Sequence, residues 1–243
     1  MKGNTGSPKL PMLALLLGMA GLVLRTALYR TAVDVKGLLM QNHPLELALA
    51  ALTAAVLVAI VLTVRTRRDE RDYEDLYAVN LPAAVGNVAA GAGILVTVLG
   101  TMPEMGSYLE TAWHYLGLAA PACLLLAGIT KALGKKPFFL LHVVACLFFL
   151  LHIIIHYQIW SSHPQMQDYI FSLLGVMMLM FFSFYTAALE AGCGSPRMMT
   201  GMGLAAIYLC SAELARSSCP WLYLGGIAWV LTDLCSMRKV EKK

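Results

Sequence analysis

The sequence predicts an all-α fold, a polytopic membrane helix bundle of about eight transmembrane helices that forms a single integral membrane domain over residues 1–243. Three observations carry this prediction. Hydrophobic residues make up 59% of the chain, charged residues only 13%, and the mean hydropathy is +0.70. A soluble domain is roughly half apolar and about a quarter charged, so this chain lacks the polar surface to cover a globule in water. The apolar residues also fall into runs near the ~20-residue length that a helix needs to cross a bilayer core. Finally, Lys and Arg gather between alternate runs, as the positive-inside rule requires.

The runs lie at roughly 10–28, 45–64, 82–102, 111–130, 138–160, 168–189, 199–215 and 220–236. The first follows Lys2 and Lys9 and continues to Arg25 without a small-x-small cleavage site, so it reads as an uncleaved helix rather than a leader. The last two runs are short and joined by Arg216–Pro220, which leaves seven spans or a re-entrant pair as the competing count. Charge favours eight. With the N-terminus inside, the inner segments hold Lys2, Lys9, Arg65, Arg67, Arg68, Arg71, Lys131, Lys135, Lys136, Arg197, Arg238, Lys239, Lys242 and Lys243. Only Arg25, Arg30, Lys36 and Arg216 fall outside. The expected location is therefore the cytoplasmic membrane, with both termini cytoplasmic. Trp113, Trp160 and Trp221 fall at the expected outer boundary, where indole rings favour the headgroup level. Segment 65–80 is the longest polar stretch, and its i,i+4 pairs Arg68/Asp72 and Arg71/Asp75 suit a short solvated helix.

The halves share landmarks in the same order, which predicts a parallel 4+4 internal repeat of 10–130 and 137–237. These are Pro11 and Pro137, His43-Pro44 and His163-Pro164, a third helix rich in small residues, and a fourth opening with Trp-x-Tyr-Leu-Gly at 113–117 and 221–225. Gly86/Ala90, Ala89/Gly93 and Gly201/Ala205 are small-xxx-small pairs of the kind that lets helices approach closely in lipid. They place spans three and seven at the bundle centre, while spans five and six, rich in Phe, Leu, Ile and Met, are expected to face lipid on one side.

Ionisable residues within spans are costly and are the default functional candidates. Arg25 and Tyr29 form an i,i+4 pair at the outer end of span one, and His152 and His156 form another in span five. With Glu213 of span seven they define the expected substrate or proton site, in an outer vestibule that also holds His43, Glu104, Glu110, His114, His163 and Asp168. Asn87, His142 and Asp233 lie toward the inner side. His152 and His156 share a helix face and could ligate a divalent metal if His114, His163 or Asp168 completed the set. That fragment alone resembles the HxxxH of metal-dependent membrane hydrolases related to alkaline ceramidases, and the resemblance implies a metal-dependent hydrolytic activity.

Other chemistry has less support. The six scattered cysteines include no CxxC and suit packing better than a disulfide framework or a zinc knuckle. His142 has no counterpart on the inner side to pair with across a haem. Gly192-Cys193-Gly194-Ser195-Pro196 reads as a helix-ending turn, not a nucleophile elbow. No nucleotide motif is present, no cofactor is evident beyond the metal alternative, and the low charge excludes a nucleic-acid partner. The bilayer is the one partner that the sequence implies. The leading expectation is a small-solute transporter or the membrane subunit of one. The alternatives are a membrane-embedded metal-dependent hydrolase and a non-catalytic accessory or sensor protein.

Overall fold

The computed structural model describes residues 9–32, 43–66, 80–101, 108–161 and 169–237, with side chains of 159–161 excepted. Eight helices account for nearly all of them, and the described residues contain no strand. They are α1 (Lys9–Thr31), α2 (Pro44–Arg65), α3 (Leu81–Gly100), α4 (Tyr108–Ala132), α5 (Leu140–Ser161), α6 (Ile170–Glu190), α7 (Pro196–Glu213) and α8 (Pro220–Ser236). Helices α1 to α6 are each long and apolar enough to cross a membrane. In lipid, backbone groups must be satisfied within the segment, and a helix does this. The fold is that of a polytopic helical membrane protein. The last two runs are separate helices, so the described residues hold eight helices, six of them of membrane-spanning length and hydropathy. The polar stretch 67–79 lies outside the described residues.

Local chemistry fixes the helix starts. His43 caps α2 by accepting from the Leu45 N–H, Asn80 caps α3 through Ala83, and Ser195 caps α7 through Met198. Each cap precedes a proline in the first turn, where a missing N–H costs nothing. The Ser195-Pro196 start places α7 three residues earlier than its apolar run suggests. Just before it, Gly192 takes a φ of 84°, and the Cys193 N–H returns to the Ala188 carbonyl at 2.9 Å. This is the helix-ending turn expected at 192–196.

Polar contacts fix the alternation of the helices. The ends of α4, α6 and α8 meet the beginning of α5, and the ends of α1 and α7 meet the beginning of α6. We call the end where α1 begins and α8 finishes the terminal face, and the other the opposite face.

Helix α7 is enclosed: all its residues are buried except Arg197, Met198 and Met202. It packs on α6, α1, α8 and α2. The closest approaches use glycine. Gly18 and Gly21 of α1 lie against Tyr208, Ser211 and Ala212, and Gly201 lies against Val64 of α2. The most extensive pairing joins α3 to α8. There Gly93 faces the Trp221 carbonyl, Gly225 faces the Ala89 carbonyl, and Gly86 faces Trp229 and Thr232. Helix α3 is not central in the same sense as α7. It buries Gly86, Ala90, Gly93 and Thr97 but turns Val85, Val88, Val96 and Leu99 outward. Its buried face is mostly small residues, joined by Ile94 and Val98, and its outward face is mostly branched apolar ones. Helix α8 shares the interior with α7 instead.

The helix pairings follow the proposed repeat only in part. α1–α2 matches α5–α6, and α3–α4 matches α7–α8, but the α3–α8 and α1–α7 packings have no counterparts of similar extent. Of the two Trp-x-Tyr-Leu-Gly segments, both end in a close-packed glycine, Gly117 and Gly225. Their tryptophans differ. Trp221 is 58% exposed, whereas Trp113 is 5% exposed and packs on Phe148 of α5. Trp113 therefore belongs to the core and not to the headgroup belt. The side chain of Trp160 lies outside the described residues.

The α3–α8 crossing yields a direct expectation. A side chain at Gly93 or Gly225 meets backbone that cannot rotate away, so Gly93→Val should destabilise by about 3 kcal/mol, the upper end of ordinary overpacking. Gly100→Ala, where the added carbon meets open space, should change stability by less than about 1 kcal/mol. Unfolding of both variants in mixed detergent micelles measures the contrast.

Candidate functional site

Two enclosed polar networks lie at opposite ends of the bundle. The one at the opposite face contains three residues singled out from the sequence. Arg25 of α1 forms an ion pair with Glu213, the last residue of α7, and both are buried. The guanidinium also donates to the Ala212 carbonyl at 3.3 Å and reaches the Tyr29 hydroxyl at 3.5 Å. The Ser172 hydroxyl of α6 donates to the second Glu213 oxygen. Phe171 stacks on the guanidinium at 4.8 Å, and Arg216 lies over the Tyr29 ring at the same distance. Tyr223 of α8 is close enough to interact with Glu213 and Ser172. The carboxylate therefore has a partner on each oxygen, and the cation is paired and hydrogen-bonded. This is the condition under which a charge pair tolerates burial.

His152 and His156 do not join this network. Helix α5 packs on α4 and α6, whereas α1 packs on α2 and α7, so the two pairs occupy different flanks. The imidazole rings stack at 3.8 Å between centroids, with Trp113 about 6 Å from each. His156 Nδ1 lies 3.0 Å from the His152 carbonyl oxygen, a bond to its own helix that needs a proton on that nitrogen. His152 Nδ1, Trp113 Nε1 and the Nδ1 of half-buried His114 have no hydrogen-bond partner. Among the described residues, no three His, Cys, Asp or Glu side chains come together as a metal would require. His163 and Asp168, the further ligands named from the sequence, lie outside the described residues, as does Glu104.

Because His152 Nδ1 makes no bond that substitution would remove, and its ring sits among Trp113, Phe148 and His156, an aromatic replacement suits the position. His152→Phe should fold normally, with stability changed by less than about 1.5 kcal/mol as for a volume-conserving apolar exchange. Its melting temperature checks this.

The second network, near the terminal face, draws on five helices. Lys131 of α4 bonds both oxygens of Asp233 of α8, at 3.0 and 3.3 Å. His142 of α5 meets Glu190 of α6, with Nδ1 2.8 Å from Oε2. Its other nitrogen lies 3.3 Å from Asn87 Oδ1 of α3, and the ring stacks on Trp229. Asn87 donates its amide to the Ala83 carbonyl, which orients Oδ1 toward the imidazole. Ser183 of α6 donates to the His142 carbonyl. Asp233 also lies within electrostatic range of His142 and Glu190, so the two pairs form one quartet. Lys131 and Glu190 are each 3% exposed, and His142 and Asp233 are wholly enclosed.

Sequence reasoning named Asn87, His142 and Asp233 but not their partners. Lys131 and Glu190 stand at the ends of apolar runs, where Lys131 serves the positive-inside count and Glu190 resembles a loop residue. The signal that was available is depth. Each lies within the last turn or so of its helix, at the level of His142 in the third residue of α5.

No protein-family model matches the chain, and neither a curated protein nor a solved structure shows detectable similarity to it. The class is thus defined by the fold and the buried charge: a polytopic helical membrane protein with ionisable networks inside the bundle.

Proposed function

We propose that this chain is a small-solute transporter, or the membrane subunit of one, and that it works by exposing an interior site alternately to the two sides of the cytoplasmic membrane. The orientation follows the Lys and Arg distribution, with the terminal face cytoplasmic. The observation that carries the proposal is the enclosure of an ion-paired network near each end of one bundle. Ionisable groups inside a membrane protein are expensive and mark solute or proton pathways. Two such networks, each tying several helices together, have the form of a closure at each side. Helices α6 and α8 contribute to both, through Ser172 and Glu190 and through Tyr223 and Asp233.

Arg25 is the group that recognises the solute. An anionic solute competes with Glu213 for the guanidinium, and Tyr29 supplies a hydroxyl beside it. Displacing Glu213 also frees Ser172 and loosens α1 and α6 from α7, which opens the opposite face. The histidine pair takes no part in solute binding here, because it lies on another flank. In the hydrolase alternative, His152 and His156 would ligate a metal. The metal content of purified wild-type protein beside His152→Ala/His156→Ala tests that reading, and near-stoichiometric metal that disappears in the variant would favour it.

The transporter reading predicts stabilisation by small anions. Purified protein is heated with inorganic phosphate, sulfate, acetate, succinate and glutamate, each tested singly. At least one should raise the melting temperature, with about 2.7 kcal/mol of stabilisation at a hundredfold excess over its Kd. Arg25→Lys should abolish the shift, because the planar fork is lost while the charge is kept. A shift that survives in Arg25→Lys, or none with any of the five anions, counts against Arg25 as the recognition group.

A further inference from the structure

We propose that the His142–Glu190 pair, enclosed among α3, α4, α5, α6 and α8, is a proton-binding site that holds one exchangeable proton. Its use in driving transport rests on the reading above, but the site itself does not.

The hydrogen-bond geometry requires the proton. Both ring nitrogens of His142 face acceptor oxygens, Nδ1 toward Glu190 Oε2 at 2.8 Å and Nε2 toward Asn87 Oδ1 at 3.3 Å. The Asn87 amide nitrogen is committed to the Ala83 carbonyl, so Oδ1 cannot be exchanged for a donor without breaking that bond. A neutral imidazole with an ionised Glu190 has one ring hydrogen for two acceptors, which leaves one nitrogen lone pair facing an oxygen lone pair. Both contacts are satisfied together only when Nε2 carries a hydrogen and a further proton lies between Nδ1 and Oε2.

Charge gives the same count independently. Among the described residues, Lys131 from α4 and Asp233 from α8 are the ionisable groups seen to face the pair, while α3 presents the uncharged Asn87. Helix α7, packed on α6 and α8, has one charged residue at this end, the half-buried Arg197 of its first turn. With His142 neutral and Glu190 ionised, the quartet carries one positive and two negative charges, and an uncompensated buried charge is strongly disfavoured. One added proton makes it neutral. Glu190 Oε1 is buried without a hydrogen-bond partner, an acceptor still open inside the network.

Loss of this proton undoes both conditions. It leaves a net negative charge among five helices and turns one His142 contact repulsive. The packing that joins α5 to α6 and α3 must then adjust, and solute movement is coupled to the proton at this point. The proton leaves as H⁺ to water on the terminal side when that side opens, and no other bond is made or broken.

The test is ¹⁵N NMR of histidine-labelled protein in micelles, with the His142 resonances assigned by their loss in His142→Gln. Across pH 5 to 10, the wild-type His142 ring resonances should move from those of an imidazole with a proton in both contacts to those of a neutral imidazole with one bare nitrogen, in one step with one proton released per chain. Glu190→Gln, of nearly equal shape, should remove that step. A wild-type His142 resonance that stays fixed across the range overturns the proposal, and this measurement needs no variant to fold. A step unchanged in folded Glu190→Gln overturns it as well. Titration of the pair in a protein that shows no alternation of access would retain the proton site and remove the transporter reading.

Discussion

Asp233→Ala is expected to be among the most destabilising substitutions in the chain, at about 3–5 kcal/mol, because it strands the buried Lys131 ammonium. The size comes from the orphaned charge and not from the bond lost. Lys131 donates to both Asp233 oxygens, and both side chains are buried. The double variant Lys131→Met/Asp233→Leu removes both charges and fills the same space with apolar atoms. It should recover most of the loss, since apolar replacements of buried ion pairs are often neutral or stabilising. Unfolding in mixed micelles gives both values. A double variant as unstable as the single one would show that the pair contributes geometry that apolar side chains do not reproduce.

Glu213→Ala should have an effect of the same order, about 3–5 kcal/mol, for the same reason at the other end of the bundle. Arg25 would retain the Ala212 carbonyl and the Tyr29 hydroxyl but no counter-ion from Glu213. Ser172 would lose its acceptor as well. Glu213→Gln keeps the shape and an acceptor oxygen for either partner, so it should cost clearly less than the alanine variant. If the two variants are equally stable, the ion pair is not what joins α1, α6 and α7.

The membrane class and most boundaries of the described helices were legible in composition and run length, because bilayer thickness constrains them. Pairing between helices was less so. The α3–α8 crossing depends on Gly86, Gly93 and Gly225 facing each other's backbone. A small-residue pattern reveals one side of such a contact but does not name the partner. Trp113 illustrates a related difficulty. Its position near a helix start suits a headgroup belt, yet burial against Phe148 depends on where α5 lies, which is a tertiary fact.

The candidate site was legible in the same uneven way. Arg25, Tyr29 and Glu213 were identified because intramembrane charge is conspicuous, and the structure brings them together. His152 and His156 do not share a flank with them, since i,i+4 spacing fixes a face without saying what that face meets. Lys131 and Glu190 were passed over because residues at helix ends usually reach water. Here packing against neighbouring helices buries both.

The central claim is that the two networks close a passage from either side. It is tested most directly by thiol accessibility in oriented proteoliposomes, after replacement of the six native cysteines, with Ser172→Cys or Ser183→Cys introduced singly. A membrane-impermeant thiol reagent should label position 172 from the opposite face only and position 183 from the terminal face only. Cross-linking α1 to α7 beside Arg25, which holds the opposite face shut, should suppress labelling at 172 and increase it at 183. Labelling of neither position from either side, in protein that remains folded, would contradict alternating exposure and leave the networks as fasteners of a static bundle.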